Sequence, residues 1–212
     1  MLFLSLLLSY LCGAVPFGVI AGKLRGVDVR LVGSGNTGAT NVYRALGPRA
    51  GAFVLSLDIL KGLAAPYIGR KLLGSEDFNG IALCALMAVI GHTFSVFLKF
   101  RGGKGIATGL GAIFGLAPLV ALIALGVWGV VLLLTRMISA ASIVACMAAP
   151  IAAWLAGAPP AYFYAILFLT TVAFLKHIPN MKRILAGAEP KVGRKPAVTT
   201  TETKGAAQPA KH

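Results

Sequence analysis

Long apolar runs separated by short basic clusters organise the chain. Met1 to Gly22 is apolar over roughly the ~20 residues a helix needs to cross a bilayer, with Lys23 and Arg25 directly after it. A signal peptide carries its positive charge before the apolar core. Here the charge follows, which predicts a retained span with the N-terminus outside. A second span is predicted over Gly51 to Gly69 and a third over Gly80 to Phe100. Between them Arg70, Lys71, Glu76 and Asp77 cancel, as expected of an external loop.

The run from Ile106 to Leu134 is uncharged and long for one tilted helix, with breaker residues at Gly115-Leu116-Ala117-Pro118. Two further runs follow, Ile138 to Ala156 and Ala161 to Leu175, and then a basic tail that belongs in the cytoplasm. Read as a single span, Ile106 to Leu134 would put that tail outside. Two short helices turning at Gly115 to Pro118 restore it to the cytoplasm and place Arg136 inside. The pattern therefore predicts an all-α polytopic integral membrane protein with about seven transmembrane helices, N-terminus outside and C-terminus cytoplasmic, six or five being the alternatives. The membrane domain would be residues 1–187. Residues 188–212, rich in Pro, Thr, Ala and Lys without an apolar period, are expected to be a disordered basic tail.

Composition agrees with the pattern. Of 212 residues 58% are apolar and 12% charged, which excludes a soluble globule, a disordered chain and a secreted disulfide scaffold. The net charge of +14 sits in the loops between spans, so anionic lipid and anionic substrates are the expected partners, not nucleic acid. Cys12, Cys84 and Cys146 lie far apart in apolar stretches and read as small core residues.

The polar residues that a span does not need gather in the loops assigned to the cytoplasm. The first cluster is GSGNTGATNVYR, Gly33 to Arg44. Glycines 33, 35 and 38 permit positive φ and leave backbone N–H groups open, a geometry suited to cradling phosphate, and Ser34, Asn36, Thr40, Asn41 and Arg44 add donors. The same stretch fits GxGxxG, with Asp58 twenty residues beyond Gly38, but no strand precedes it and Asp58 lies within a span. It also fits a P-loop except that Ala39 stands where that motif requires Lys. A flexible interhelical turn is the plainer reading of the glycines alone.

The second cluster is GHTFSVFLKFRGGKGIAT, Gly91 to Thr108. Lys104 on the Gly102-Gly103 loop offers an anion a point charge, Lys99 and Arg101 mark the membrane surface, and His92 reads equally as helix packing or as function. The third is KHIPNMKR, Lys176 to Arg183, in which His177, Asn180 and Arg183 share a face if a helix continues past Pro179. Asp58 and Lys61, three residues apart inside a span, are expected to pair. Ser139 and Ser142 lie near the cytoplasmic boundary and could bond a substrate or a neighbouring helix. No His, Cys, Asp and Glu cluster has metal-ligand spacing, no His-four-Asp acyltransferase motif is present, and no GxSxG elbow occurs; neither a metal nor another cofactor is expected.

On these three segments the sequence resembles the bacterial acyl-phosphate-dependent glycerol-3-phosphate acyltransferase family, over nearly all of the chain except the tail. Two positions depart from its pattern: Ser95 stands where a proline is expected, and Ile178-Pro179 replaces a more polar pair. The resemblance implies about seven helices, a fatty acyl phosphate donor, sn-glycerol 3-phosphate as acceptor, and lysophosphatidic acid and phosphate as products. It also implies an active site on the cytoplasmic side of the bacterial inner membrane and no obligatory protein partner. Carried over by position, Ser34, Arg44, Lys104, His177 and Asn180 are the catalytic set. Gly33, Gly35, Asn36, Gly38, Thr40, Asn41, Gly102, Gly103 and Ser142 are expected to hold substrate phosphate. The acceptor hydroxyl can attack the mixed anhydride directly, which makes Ser34 a ligand, not a nucleophile, and leaves His177 or a substrate phosphate as the base. The rival from another class is a membrane transporter for an organic phosphate, although no inverted repeat is visible and the unusual residues collect at one boundary instead of at midplane.

Overall fold

The computed structural model describes residues 1–193. Among these there is no β-strand, and ten α-helices follow in the order α1 (Leu2–Ala14), α2 (Phe17–Lys23), α3 (Ala39–Leu46), α4 (Pro48–Leu73), α5 (Phe78–Thr93), α6 (Ile106–Leu116), α7 (Pro118–Thr135), α8 (Ile138–Leu155), α9 (Pro160–Leu175) and α10 (Ile178–Leu185). Five segments are long and apolar enough to cross a membrane: Leu2–Lys23, Pro48–Leu73, Phe78–Leu98, Pro118–Thr135 and Ile138–Leu155. A sixth qualifies if α9 and α10, bent by 52° to one another, count as one. The seventh apolar segment of the sequence pattern is α6, whose 11 residues reach about 17 Å against a hydrocarbon core of about 30 Å.

The predicted break in the long run falls at Ala117, and Pro118 opens α7 at a position where its missing N–H costs nothing. Arg70 Nη2 donates to Gly115 O at 2.6 Å, satisfying a carbonyl that the end of α6 leaves free. The first span differs from its prediction as a single helix. It breaks between α1 and α2 because Pro16 has no N–H to continue the ladder. The freed carbonyls are taken by distant side chains: Ser95 Oγ donates to Ala14 O at 2.6 Å and Lys61 Nζ to Val15 O at 2.9 Å. The serine at the unusual position 95 thus holds a helix break. Lys61 Nζ is also 2.8 Å from Asp58 Oδ1, the pairing expected from their spacing.

Small residues set the packing. The central core joins α5 to α9 through Ala85, Ala112, Ala121, Ala149 and Ala153 around Ile81, Val120 and Ile166. Without a hydrophobic driving force between helices in lipid, such residues let backbones approach closely. The contact of α4 with α6 is the tightest example, since a Cβ on Gly111 would lie 1.9 Å from Ile59 O. A second, smaller core of Val19, Val29, Val42 and Val54 anchors the loop between α2 and α3, which carries the first polar cluster.

Candidate functional site

The three polar clusters meet at one end of the bundle, around a cavity of about 360 Å³. It is lined by Ser34, Arg44, Lys104, His177, Asn180 and Arg183 together with apolar side chains including Leu110, Phe114, Trp128 and Ala149. Five residues named separately in sequence, Ser34, Arg44, Lys104, His177 and Asn180, therefore face one space.

The first cluster is half loop and half helix. Gly33 and Gly35 take φ of +60° and +67°, the left-handed region open to glycine, and Gly38 precedes the first turn of α3. Asn41 locks the loop: Nδ2 donates to Val29 O at 2.7 Å and Val32 O at 3.0 Å, while Oδ1 accepts from Ser34 N at 2.9 Å and Ser34 Oγ at 3.2 Å. Both amide hydrogens go to loop carbonyls, so Asn41, which also lines the cavity, holds the loop in place. Asn36 Oδ1 accepts from Gly38 N at 2.8 Å in a local turn. Asn36, Gly38 and Thr40 line the cavity, whereas Gly33 and Gly35 shape the loop without reaching its wall. Arg44, in the last turn of α3, is exposed and unpaired among the described residues.

Lys104 follows Gly102 and Gly103, which also stay off the cavity wall and pack on the end of α5. Their amides are used within the loop, Gly102 N donating to Thr93 O and Gly103 N to His92 O, both at 3.1 Å. Lys104 Nζ donates to Asn180 Oδ1. Asn180 Nδ2 donates to Glu189 Oε1 at 2.7 Å, and Arg183 Nε to Glu189 Oε2 at 2.7 Å. Burial above all, then the positive charges of Arg183 and Arg44, pushes Lys104 down to about 8, with Glu189 opposing. Burial raises the carboxyl of Glu189, but Ser139, Asn180 and Arg183 around it outweigh that and leave it below the ordinary range. Ser139 Oγ lies near Glu189 without meeting a partner at good hydrogen-bond geometry.

Pro179 does not disrupt the third cluster. It occupies the first turn of α10, where proline is tolerated, and Asn180 turns inward and is buried. His177 sits at the start of α10, its Nδ1 2.7 Å from Ala173 O. A carbonyl only accepts, so Nδ1 carries the proton and Nε2 holds the lone pair in the neutral ring. Burial, with the charge of Lys104, depresses His177 to about 4 against the opposing bond to Ala173. Ser142 lines the cavity, where its Oγ donates to Ile138 O at 2.8 Å and accepts from Trp128 Nε1 at 3.2 Å.

Two members of the site were not assigned substrate contacts from sequence. Arg183 is named there only as sharing a face with His177 and Asn180, and Glu189 falls in the stretch read as a disordered tail. Glu189 is instead buried, and Val192 N donates to Arg136 O at 2.8 Å, strapping residues 188–193 across the bundle end. The remainder of that expectation, 194–212, lies outside the described residues. The available signal for Glu189 was scarcity: the chain has six carboxylates against twenty basic residues, so any of them is a sought-after partner. Among the described residues no group of three or more His, Cys, Asp and Glu is placed to hold a metal.

A helical membrane protein whose cavity brings cationic side chains together with an apolar lining suits a transferase joining a phosphorylated solute to a lipid chain. The glycerol-3-phosphate acyltransferase family profile matches residues 3–187, and the chain belongs to that family. It is 42% identical to the glycerol-3-phosphate acyltransferase of Carboxydothermus hydrogenoformans, over 91% of this chain and 97% of that one. The identity to the enzyme of Gloeobacter violaceus is 44%, over 87% and 92%. The crystal structure of PlsY (YgiH), an integral membrane glycerol 3-phosphate acyltransferase, in its glycerol 3-phosphate form superposes with a TM-score of 0.86 at 39% identity, covering 91% of this chain and 96% of that one. Its lysophosphatidic acid form gives 0.84 at 38%, covering 91% and 95%. The chain is thus a multi-pass membrane acyltransferase, and the transporter reading is set aside.

Proposed function

We propose that the protein transfers a fatty acyl group from acyl phosphate to the 1-hydroxyl of sn-glycerol 3-phosphate, releasing lysophosphatidic acid and phosphate at the cytoplasmic face of a bacterial inner membrane. The observation that carries this reading is the convergence of Arg44, Lys104 and Arg183 on one cavity whose lining carboxylates, among the described residues, are Glu189 and the Lys61-paired Asp58. Two phosphoryl groups of about −1.5 to −2 charge each repel strongly in a partly dehydrated space unless cations lie between them. Arg44 offers a planar fork for bidentate binding and Lys104 a compact charge.

The reaction forms a C–O bond between the acceptor oxygen and the acyl carbon and breaks the anhydride C–O bond, with phosphate departing. It needs orientation more than a covalent protein intermediate. Ser34, already engaged with Asn41, serves as a ligand. His177 presents Nε2 to the acceptor hydroxyl. Burial keeps the imidazole neutral with the Nε2 lone pair available, and the hydroxyl proton passes either to this nitrogen or to a substrate phosphate while Asn180 and His177 align the acceptor. The apolar interior accommodates the acyl chain.

The test is direct. Purified protein in lipid nanodiscs is given glycerol 3-phosphate with either acyl phosphate or acyl-CoA, with and without a chelator. Turnover with acyl phosphate alone, unaffected by chelation, is expected. Turnover with acyl-CoA alone overturns the donor assignment.

A further inference from the structure

Asp58, His92 and Thr108 form a buried polar cluster that the chemistry proposed above does not use. His92 Nδ1 lies 3.1 Å from Thr108 Oγ1 and 3.7 Å from Asp58 Oδ1, and Lys61 neutralises the same carboxylate oxygen at 2.8 Å. The three sit on different helices, α5, α6 and α4 respectively for His92, Thr108 and Asp58. A polar cluster inside a span is costly and calls for a role.

The other edge of the ring points to that role. A Cβ on Gly103 would lie 2.2 Å from His92 Nε2, so this edge of the ring packs against the Gly103 backbone, and His92 also lines the cavity. The final carbonyls of α5 are used in the same way: Gly103 N donates to His92 O and Gly102 N to Thr93 O, both at 3.1 Å. A Cβ on Gly102 would fall 2.0 Å from His92 O, which explains the glycine there. The loop also contains Lys99 and Phe100 at φ of 51° and 61°, a region disfavoured for side-chain-bearing residues, so it needs an external support. The next residue after Gly103 is Lys104.

We infer that Asp58, Thr108 and the His92 imidazole form a mount that fixes the Gly102-Gly103 backbone and so sets where Lys104 meets the phosphate. Asp58 and Thr108 hold the ring from one edge, and the ring supports the loop with the other. His92 is on this account a positioning residue, acting through Lys104. The inference rests on the acceptor assignment made above.

Wild type, His92→Ala, Lys104→Ala and the double variant are compared in nanodiscs with acyl phosphate and glycerol 3-phosphate. His92→Ala is expected to raise KM for glycerol 3-phosphate about tenfold with kcat within about threefold, since a small misplacement weakens binding without removing a reacting group. The double variant is expected to be no worse in kcat/KM than Lys104→Ala, because the mount has nothing left to position. Thr108→Val repeats the same cycle with a nearly isosteric change if His92→Ala fails to accumulate. Losses that multiply in the double variants, or a loss confined to kcat, overturn the inference. A wild type that leaves glycerol 3-phosphate unacylated overturns the proposed function and this inference with it; an active wild type with multiplying losses overturns the inference alone.

Discussion

Lys104 lies between Arg183, Arg44 and Asn180 at a buried boundary, and its ammonium titrates near 8. It is charged below that value and neutral above it, so its attraction for a phosphate is lost as pH rises. The free enzyme is reported by kcat/KM, which is expected to fall about tenfold per unit above about pH 8, whereas Lys104→Arg, charged throughout, should lack this limb. A wild-type profile flat to pH 10 would remove Lys104 from phosphate binding. At this scale the sequence showed residue types well: a lysine among glycines and an arginine after a glycine loop already suggest an anion. It did not reveal which polar groups were free. Asn41 and Ser142 have the right chemistry for phosphate, and both also bond backbone carbonyls that only the folded loop and helix bring near.

Between elements, the close approach of α4 and α6 positions Asp58 opposite Thr108 and the glycine loop. Gly111→Ala puts a methyl group against the Ile59 carbonyl, and overpacking of this kind costs about 1 to 3 kcal/mol. A lower midpoint in thermal unfolding in detergent is expected for Gly111→Ala, with no lowering for Gly126→Ala on α7, where a Cβ meets open space and alanine favours the helix. Equal midpoints for the two would show that the α4–α6 contact is not tight. Helix existence was legible from the apolar runs, and so was the break at Gly115 to Pro118. The break at Pro16 was not read, because an apolar run with one proline looks continuous until the carbonyls it frees are seen bonded to Ser95 and Lys61. The helix after Pro179 was equally open in sequence, since proline at a first turn and proline as a breaker are the same letter.

For the whole molecule, the proposed reaction needs all three clusters on the cytoplasmic side. Single cysteines introduced for exposed Arg49 and Arg101 are expected to react with an impermeant maleimide only in inside-out vesicles, and one introduced for Ser75 only in right-side-out cells. Labelling of 49 and 101 from opposite sides would end the shared-cavity account. Apolar length, charge between the runs and the three polar clusters are local properties, so the sequence by itself determined a helical membrane protein with an anion-handling boundary. The chain's return at Glu189 is different. One carboxylate, far along a basic stretch, gains its meaning only when α10 turns Asn180 and Arg183 inward to meet it. Hydrogen bonding and burial depend on which groups end up within about 3 Å of one another, a distance that spacing along a chain does not encode and that tertiary packing alone decides.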